Sequence, residues 1–154
     1  MALWHVTERD LVVGQVIEPG RWGRFVRETG PSHPHHRREM ALEQWRSSLS
    51  GITISRLDCS FAFDDLRSAE AYAEAGAPPT ERIYEVVPLL DAPTFRADML
   101  WLTWMSEPSV TPESMISFCR GYWTAESTRN RKADANPIWE ILLPCGLRVV
   151  RRVA

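Results

Sequence analysis

Two ionisable side chains sit where strands ask for packing residues. His5 interrupts Leu3-Trp4-His5-Val6-Thr7, and Glu140 interrupts Ile138-Trp139-Glu140-Ile141-Leu142-Leu143. Both runs have the β-branched and aromatic character of strands. A polar group buried in such a run needs a partner or a task. An imidazole and a carboxylate are the groups that do acid–base or electrostatic work at a reacting centre. Each also has an ordinary reading. A lone strand histidine commonly bonds a backbone carbonyl, and Glu140 facing outward is a plain surface acid.

A third candidate is Arg56-Leu57-Asp58-Cys59-Ser60-Phe61-Ala62-Phe63. Alternation puts Cys59, Phe61 and Phe63 on one face and Asp58, Ser60 and Ala62 on the other. Ser60 can hold a neighbouring carboxylate or simply face water. Arg56 can grip a phosphate with its fork, or pair with any nearby acid. Tyr72 and Tyr122-Trp123 can stack on a ring or lie half in the core. His33-Pro34-His35-His36 reads as a solvated loop, because no Cys or carboxylate stands near it at ligand spacing. No G-x-G-x-x-G, P-loop or G-x-S-x-G is present. Cys59, Cys119 and Cys145 are widely spaced with no C-x-x-C pair. They read as buried, reduced thiols of a cytoplasmic protein.

At 154 residues the chain fits one domain spanning 1–154, and 44% hydrophobic residues allow a real core. A net charge of −2 gives no general pull toward nucleic acid or anionic membrane. The N-terminal residues lack the basic-then-apolar pattern of a signal peptide. No apolar run reaches the ~20 residues of a membrane helix. Seven Trp is many for this length, and the surplus suits a cleft that stacks planar rings.

Residues 2–6 predict a strand, and 10–20 a turn and edge segment closed by Pro19-Gly20. The Arg-rich stretch 21–38 predicts a loop. A helix follows over 39–49, then a strand in the later half of 52–63. The next helix is expected over 66–75, capped by Asp64 or Asp65 and closed by Gly76. Residues 82–87 predict a strand, while 98–105 is apolar nearly all round and fits a helix or a buried segment. Thr111-Pro112-Glu113 starts a helix that Gly121 ends. Strands over 138–143 and 147–153, joined by Pro144-Cys145-Gly146, suggest a hairpin. With no regular βαβ alternation, the order predicts an α+β fold: a split, mostly antiparallel β-sheet with helices packed on it.

These residues, in this order, resemble ADP-ribosyltransferases of the diphtheria-toxin-like branch. The first motif of that family ends a strand in His, Gly and a hydroxyl residue, which Leu3-Trp4-His5-Val6-Thr7 resembles with Val6 in place of Gly. Asp10-Leu11 through Gly14 to Pro19-Gly20 is similar to the small bacterial rifamycin-modifying members. Phe61-Ala62-Phe63-Asp64-Asp65-Leu66 with Ser68 and Tyr72 resembles the second motif, although the family's strand Tyr falls near Ala62. Ile138–Leu143 followed by Leu147–Val150 resembles the third motif, a catalytic-Glu strand and a closing strand. The chain is also similar to a domain family of uncharacterised function grouped with this fold.

The resemblance implies transfer of ADP-ribose from NAD to an unknown acceptor, whether protein, nucleic acid or small molecule. His5, with Thr7 beside it, would donate to a ribose hydroxyl. Glu140 would accept from the ribose 2′-OH and stabilise the developing cation. Tyr72 and Phe61 would sandwich the nicotinamide ring. Ser60 would hold Glu140. Arg56, or an Arg of 21–38, would meet the pyrophosphate. No metal is required. Two alternatives stand beside transfer: an NAD glycohydrolase, and a non-enzymatic nucleotide- or partner-binding module, favoured by Val6 and the missing Tyr. A cognate neutralising or oligomeric partner is compatible with each.

Overall fold

β1 (Leu3–Thr7) is where the sheet is organised. It pairs antiparallel with β4 (Arg82–Pro88) from Leu3 opposite Val86 to Thr7 opposite Arg82. On its other side it meets β3 (Ser60–Phe63) at a single residue pair, Trp4 opposite Phe63. The computed structural model describes residues 2–49, 51–75 and 81–154. The described strands form one seven-stranded sheet in the order β2-β7-β4-β1-β3-β6-β5. Here β2 is Val16–Ile17, β5 Phe95–Asp98, β6 Trp139–Leu143 and β7 Leu147–Arg152. Every strand pair is antiparallel. The fold is α+β, and the expected split appears as the narrow β1–β3 seam between a β2-β7-β4-β1 half and a β3-β6-β5 half.

The expected β6–β7 hairpin is not made. β6 pairs with β3 and β5, and β7 with β4 and β2. Both edges of β6 are occupied, so Pro144-Cys145-Gly146 carries the chain from one half of the sheet to the other. β5 was not foreseen as a strand; its four residues are too few to display a period.

The Arg-rich stretch is not a loop. α1 (Arg21–Thr29) runs between Gly20 and Gly30, both at positive φ, and buries Gly23 and Val26. Arg is a good helix former, and here it occupies the exposed positions. α2 (His36–Ser48) starts three residues earlier than the spacing predicts. Gly23 lets α1 lie on the 57–58 backbone: a Cβ there would sit 1.8 Å from the Leu57 carbonyl oxygen. Gly23→Ala is therefore expected to destabilise the fold by about 3 kcal/mol. A lower urea midpoint at unchanged slope would show it, and an unshifted midpoint would refute the close approach.

α3 (Leu66–Ala75) is capped by Asp65, whose Oδ1 accepts from Ser68 N at 2.8 Å; the Gly76 expected to close it lies outside the described residues. The 98–105 segment divides into the end of β5 and α4 (Leu100–Met105). α5 (Pro112–Trp123) starts as expected, with Thr111 Oγ1 accepting from Ser114 N at 3.1 Å, and runs past Gly121. α2, α4 and α5 bury Leu42, Trp101, Met105, Cys119 and Trp123 against Leu142 of β6. A second apolar layer, Leu3, Ala62, Val86, Ile141 and Val149, includes no helical residue. The three cysteines are free and buried. Among the described residues, no helix is long and apolar enough to cross a membrane.

Candidate functional site

The seam opens into a cleft of ≈ 620 Å³ that His5 and Glu140 both line. That volume lies in the range of ~300–1,000 Å³ typical of small-molecule sites. His5 comes from β1 and Glu140 from β6, with β3 between them. Glu140 is fixed by register, opposite Phe63 on one side and Ala97 on the other. Asp98 sets the entry to its strand. It is fully buried, and its carboxylate accepts from Leu100 N, Ile138 N, Thr128 N and Thr128 Oγ1.

His5 occupies the gap where β1 and β3 part. Its Nδ1 lies 2.8 Å from the Phe61 carbonyl oxygen. A carbonyl only accepts, so Nδ1 carries the proton. Burial holds the imidazole below its ordinary pKa, against the opposing pull of the Phe61 carbonyl. Neutral His5 therefore offers Nε2 as an acceptor to a ligand hydroxyl, which reverses the donor role expected for it.

The lowered pKa has a stability consequence. Below the ordinary value of about 6.5 the unfolded imidazole takes up a proton that the folded one refuses, so stability falls as the pH drops. The melting temperature is expected to decline from about pH 8 to about pH 5.5. His5→Asn, which keeps a donor for Phe61, should flatten that decline. An unchanged slope would refute a neutral buried His5. Part of the slope will persist, because burial and Arg38 also lower His35.

Glu140 belongs to a buried ionic chain. Arg56 Nη1 donates to Glu140 Oε1, and the Tyr122 hydroxyl donates to the same oxygen at 2.7 Å. Arg56 Nη1 also reaches Tyr122 Oη at 2.7 Å. On its other edge Arg56 Nε meets Glu39 Oε2 at 3.1 Å, and Arg38 Nη2 meets Glu39 Oε1 at 3.2 Å. Two guanidiniums and two carboxylates alternate, so the cluster is neutral overall, the condition under which such charges survive burial. Burial pulls the Arg56 guanidinium down, but Glu140 and Glu39 outweigh it and hold it well above its usual value. Burial pushes Glu39 up, but Arg56 and Arg38 bring it below the ordinary carboxylate range. Burial, with Glu140 adding to it, keeps the Tyr122 phenol well above its usual value, so its hydroxyl stays protonated and donates.

Both donors converge on Oε1, and among the described residues none meets Oε2. Glu140, a buried residue of the cleft lining, thus keeps one carboxylate oxygen without a donor among the described residues. Tyr72 stands over Phe63 with ring centroids 5.4 Å apart, and both line the cleft with Phe61.

Not every expected residue joins this group. Ser60 does not hold Glu140; its hydroxyl donates to the Cys145 carbonyl at 2.9 Å, and its register partner is Leu143. The expected holder sits three register pairs from Glu140, which lies opposite Phe63. Thr7 Oγ1 accepts from Arg9 N at 3.2 Å and is not among the residues lining the cleft. Arg56 lines the cleft, but its charge is committed to two acids rather than left for a pyrophosphate. The His33–His36 stretch is not a solvated loop: His33 is buried, and His33 and His35 line the cleft. Among the described residues no group of His, Cys, Asp and Glu could hold a metal.

Glu39 and Asp98 were missed, and Arg38 was singled out only as one of the arginines of 21–38. Glu39 could have been found: it stands three residues before Leu42 on the buried stripe of α2, an odd place for an acid. No family model matches the chain, and no curated protein matches it either.

Proposed function

We propose that the chain transfers ADP-ribose from NAD to an acceptor. One observation carries this reading: the imidazole of His5 and the carboxylate of Glu140, 135 positions apart in sequence, line one cleft at a sheet seam. In the reaction the bond from the nicotinamide-ribose C1′ to the ring nitrogen breaks, and its electron pair leaves with nicotinamide. Positive charge builds on C1′ and the ribose ring oxygen. Glu140 Oε2 accepts from the ribose 2′-OH and lays negative charge beside that cation. His5 Nε2 accepts from a ribose hydroxyl and fixes the sugar. Tyr72 and Phe63 offer a ring face to nicotinamide. The acceptor's lone pair then forms the new bond to C1′, and its proton passes to solvent or to Glu140.

A second reading has its own support. Arg56 and Tyr122 already offset much of the Glu140 charge, which suits a module that binds the dinucleotide without cleaving it. Purified protein with NAD labelled in the adenylate half separates the cases. Free nicotinamide with label on an acceptor is the expected result. Nicotinamide with label only in free ADP-ribose would make the chain a glycohydrolase. Saturable NAD binding with no nicotinamide released would make it a binding module.

A further inference from the structure

Part of the cleft lining is a group of rings that stands outside the apolar clusters. Trp22 of α1 meets His33 at 5.2 Å and 81°, and His35 at 6.2 Å. Phe25 meets the same His33 at 4.9 Å and 85°. Neither Trp22 nor Phe25 joins any of the three apolar clusters, and Phe25 is 55% exposed. An indole that packs on imidazoles, rather than on Leu or Ile, does little for the core. Trp22, His33 and His35 all line the cleft that holds Glu140. His33 Nδ1 accepts from His35 N at 3.0 Å, which orients the ring. Arg38 Nη1 donates to Ser106 Oγ at 2.9 Å, and both residues line the cleft too.

The chemistry of this wall defines its ligand. The face of Trp22 suits a planar ring. Imidazole nitrogens and the Ser106 hydroxyl suit a ring with donors and acceptors on its edge, which a hydrocarbon ring lacks. Arg38, which shares Glu39 with Arg56 and has no second acid of its own among the described residues, still lines the cleft with a guanidinium that suits an attached anion. We propose that the Trp22–His33–His35 wall is a nucleobase subsite, taking the base of a nucleoside monophosphate unit whose phosphate meets Arg38. Two sources carry that unit: the adenylate half of NAD, or a nucleotide end of the acceptor. The choice between them rests on the transfer reading; the subsite itself does not.

The test uses the full chain labelled with 5-fluorotryptophan, the Trp22 fluorine resonance being assigned with Trp22→Phe. AMP is expected to move that resonance saturably, and ribose 5-phosphate, which has no base, is expected to leave it in place. Trp22→Leu should weaken AMP binding by about tenfold, the scale of one base–aromatic stack. Trp22→Phe, which keeps an aromatic face, should retain most of the binding, which separates a lost stack from a lost fold. AMP displaced by NAD identifies the adenylate half as the source, and AMP bound together with NAD identifies an acceptor nucleotide. An unmoved Trp22 resonance overturns the subsite even if nicotinamide is released. A saturable Trp22 shift without nicotinamide release keeps the subsite and overturns the transfer reading.

Discussion

Glu140→Gln is expected to lower nicotinamide release from NAD by about 10²–10³-fold in kcat, with KM for NAD little changed. Gln keeps the length of the side chain and an oxygen that Tyr122 can donate to. It removes the negative charge that would face the cation developing at C1′. A loss confined to kcat marks an interaction made only in the transition state. Equal losses in NAD binding and turnover would instead give Glu140 a binding role. Turnover left intact in Glu140→Gln would remove this carboxylate from the mechanism.

Arg56→Met is expected to cost about 3–5 kcal/mol of folding stability. The substitution fills the space but leaves Glu140 without a cation and Glu39 with Arg38 alone. Against a total stability of roughly 5–15 kcal/mol, that loss is large. It also depends on pH. Glu39 is held below the ordinary carboxylate range, so its ion pairs contribute stability above about pH 4.3, and that contribution is lost as the pH falls through its lowered folded value. The difference between wild type and Arg56→Met should therefore be largest near neutrality and shrink in acid. Urea unfolding at neutral and acid pH measures it. A pH-independent difference would mean that Arg56 acts through packing on Phe61 and Tyr122, whose rings it also covers. Arg56→Lys should recover only part of the loss, since a point charge cannot serve Glu39 with one edge and Glu140 with another.

What could be read from sequence follows the reach of the interactions. The α5 start was legible because Thr111 and Pro112 act within one turn. β4 was legible because Ile83, Tyr84, Val86 and Val87 are strand formers whatever surrounds them. His5 and Glu140 stood out as polar breaks in apolar runs, and they line one cleft. Failures came where a distant strand decided the outcome. Pro144-Cys145-Gly146 looks like a hairpin turn, but β3 and β5 compete for both edges of β6, and nothing local records that. α1 was hidden by its arginines, since charge density says loop while helix propensity and the close fit of Gly23 on Leu57 say helix. The partner of Glu140 was sought in Ser60, on the neighbouring strand. Register places Ser60 opposite Leu143, and the donors come from Arg56 and Tyr122, 84 and 18 residues away.

The proposed chemistry turns on Glu140 Oε2, the oxygen left without a donor among the described residues, meeting the nicotinamide ribose of bound NAD. A crystal structure with NAD soaked in reads it directly. The ribose 2′-OH is expected within hydrogen-bond distance of Glu140 Oε2, with His5 Nε2 on a ribose hydroxyl. NAD bound away from the seam, or a Glu140 closed on Arg56 with no ribose beside it, would contradict it.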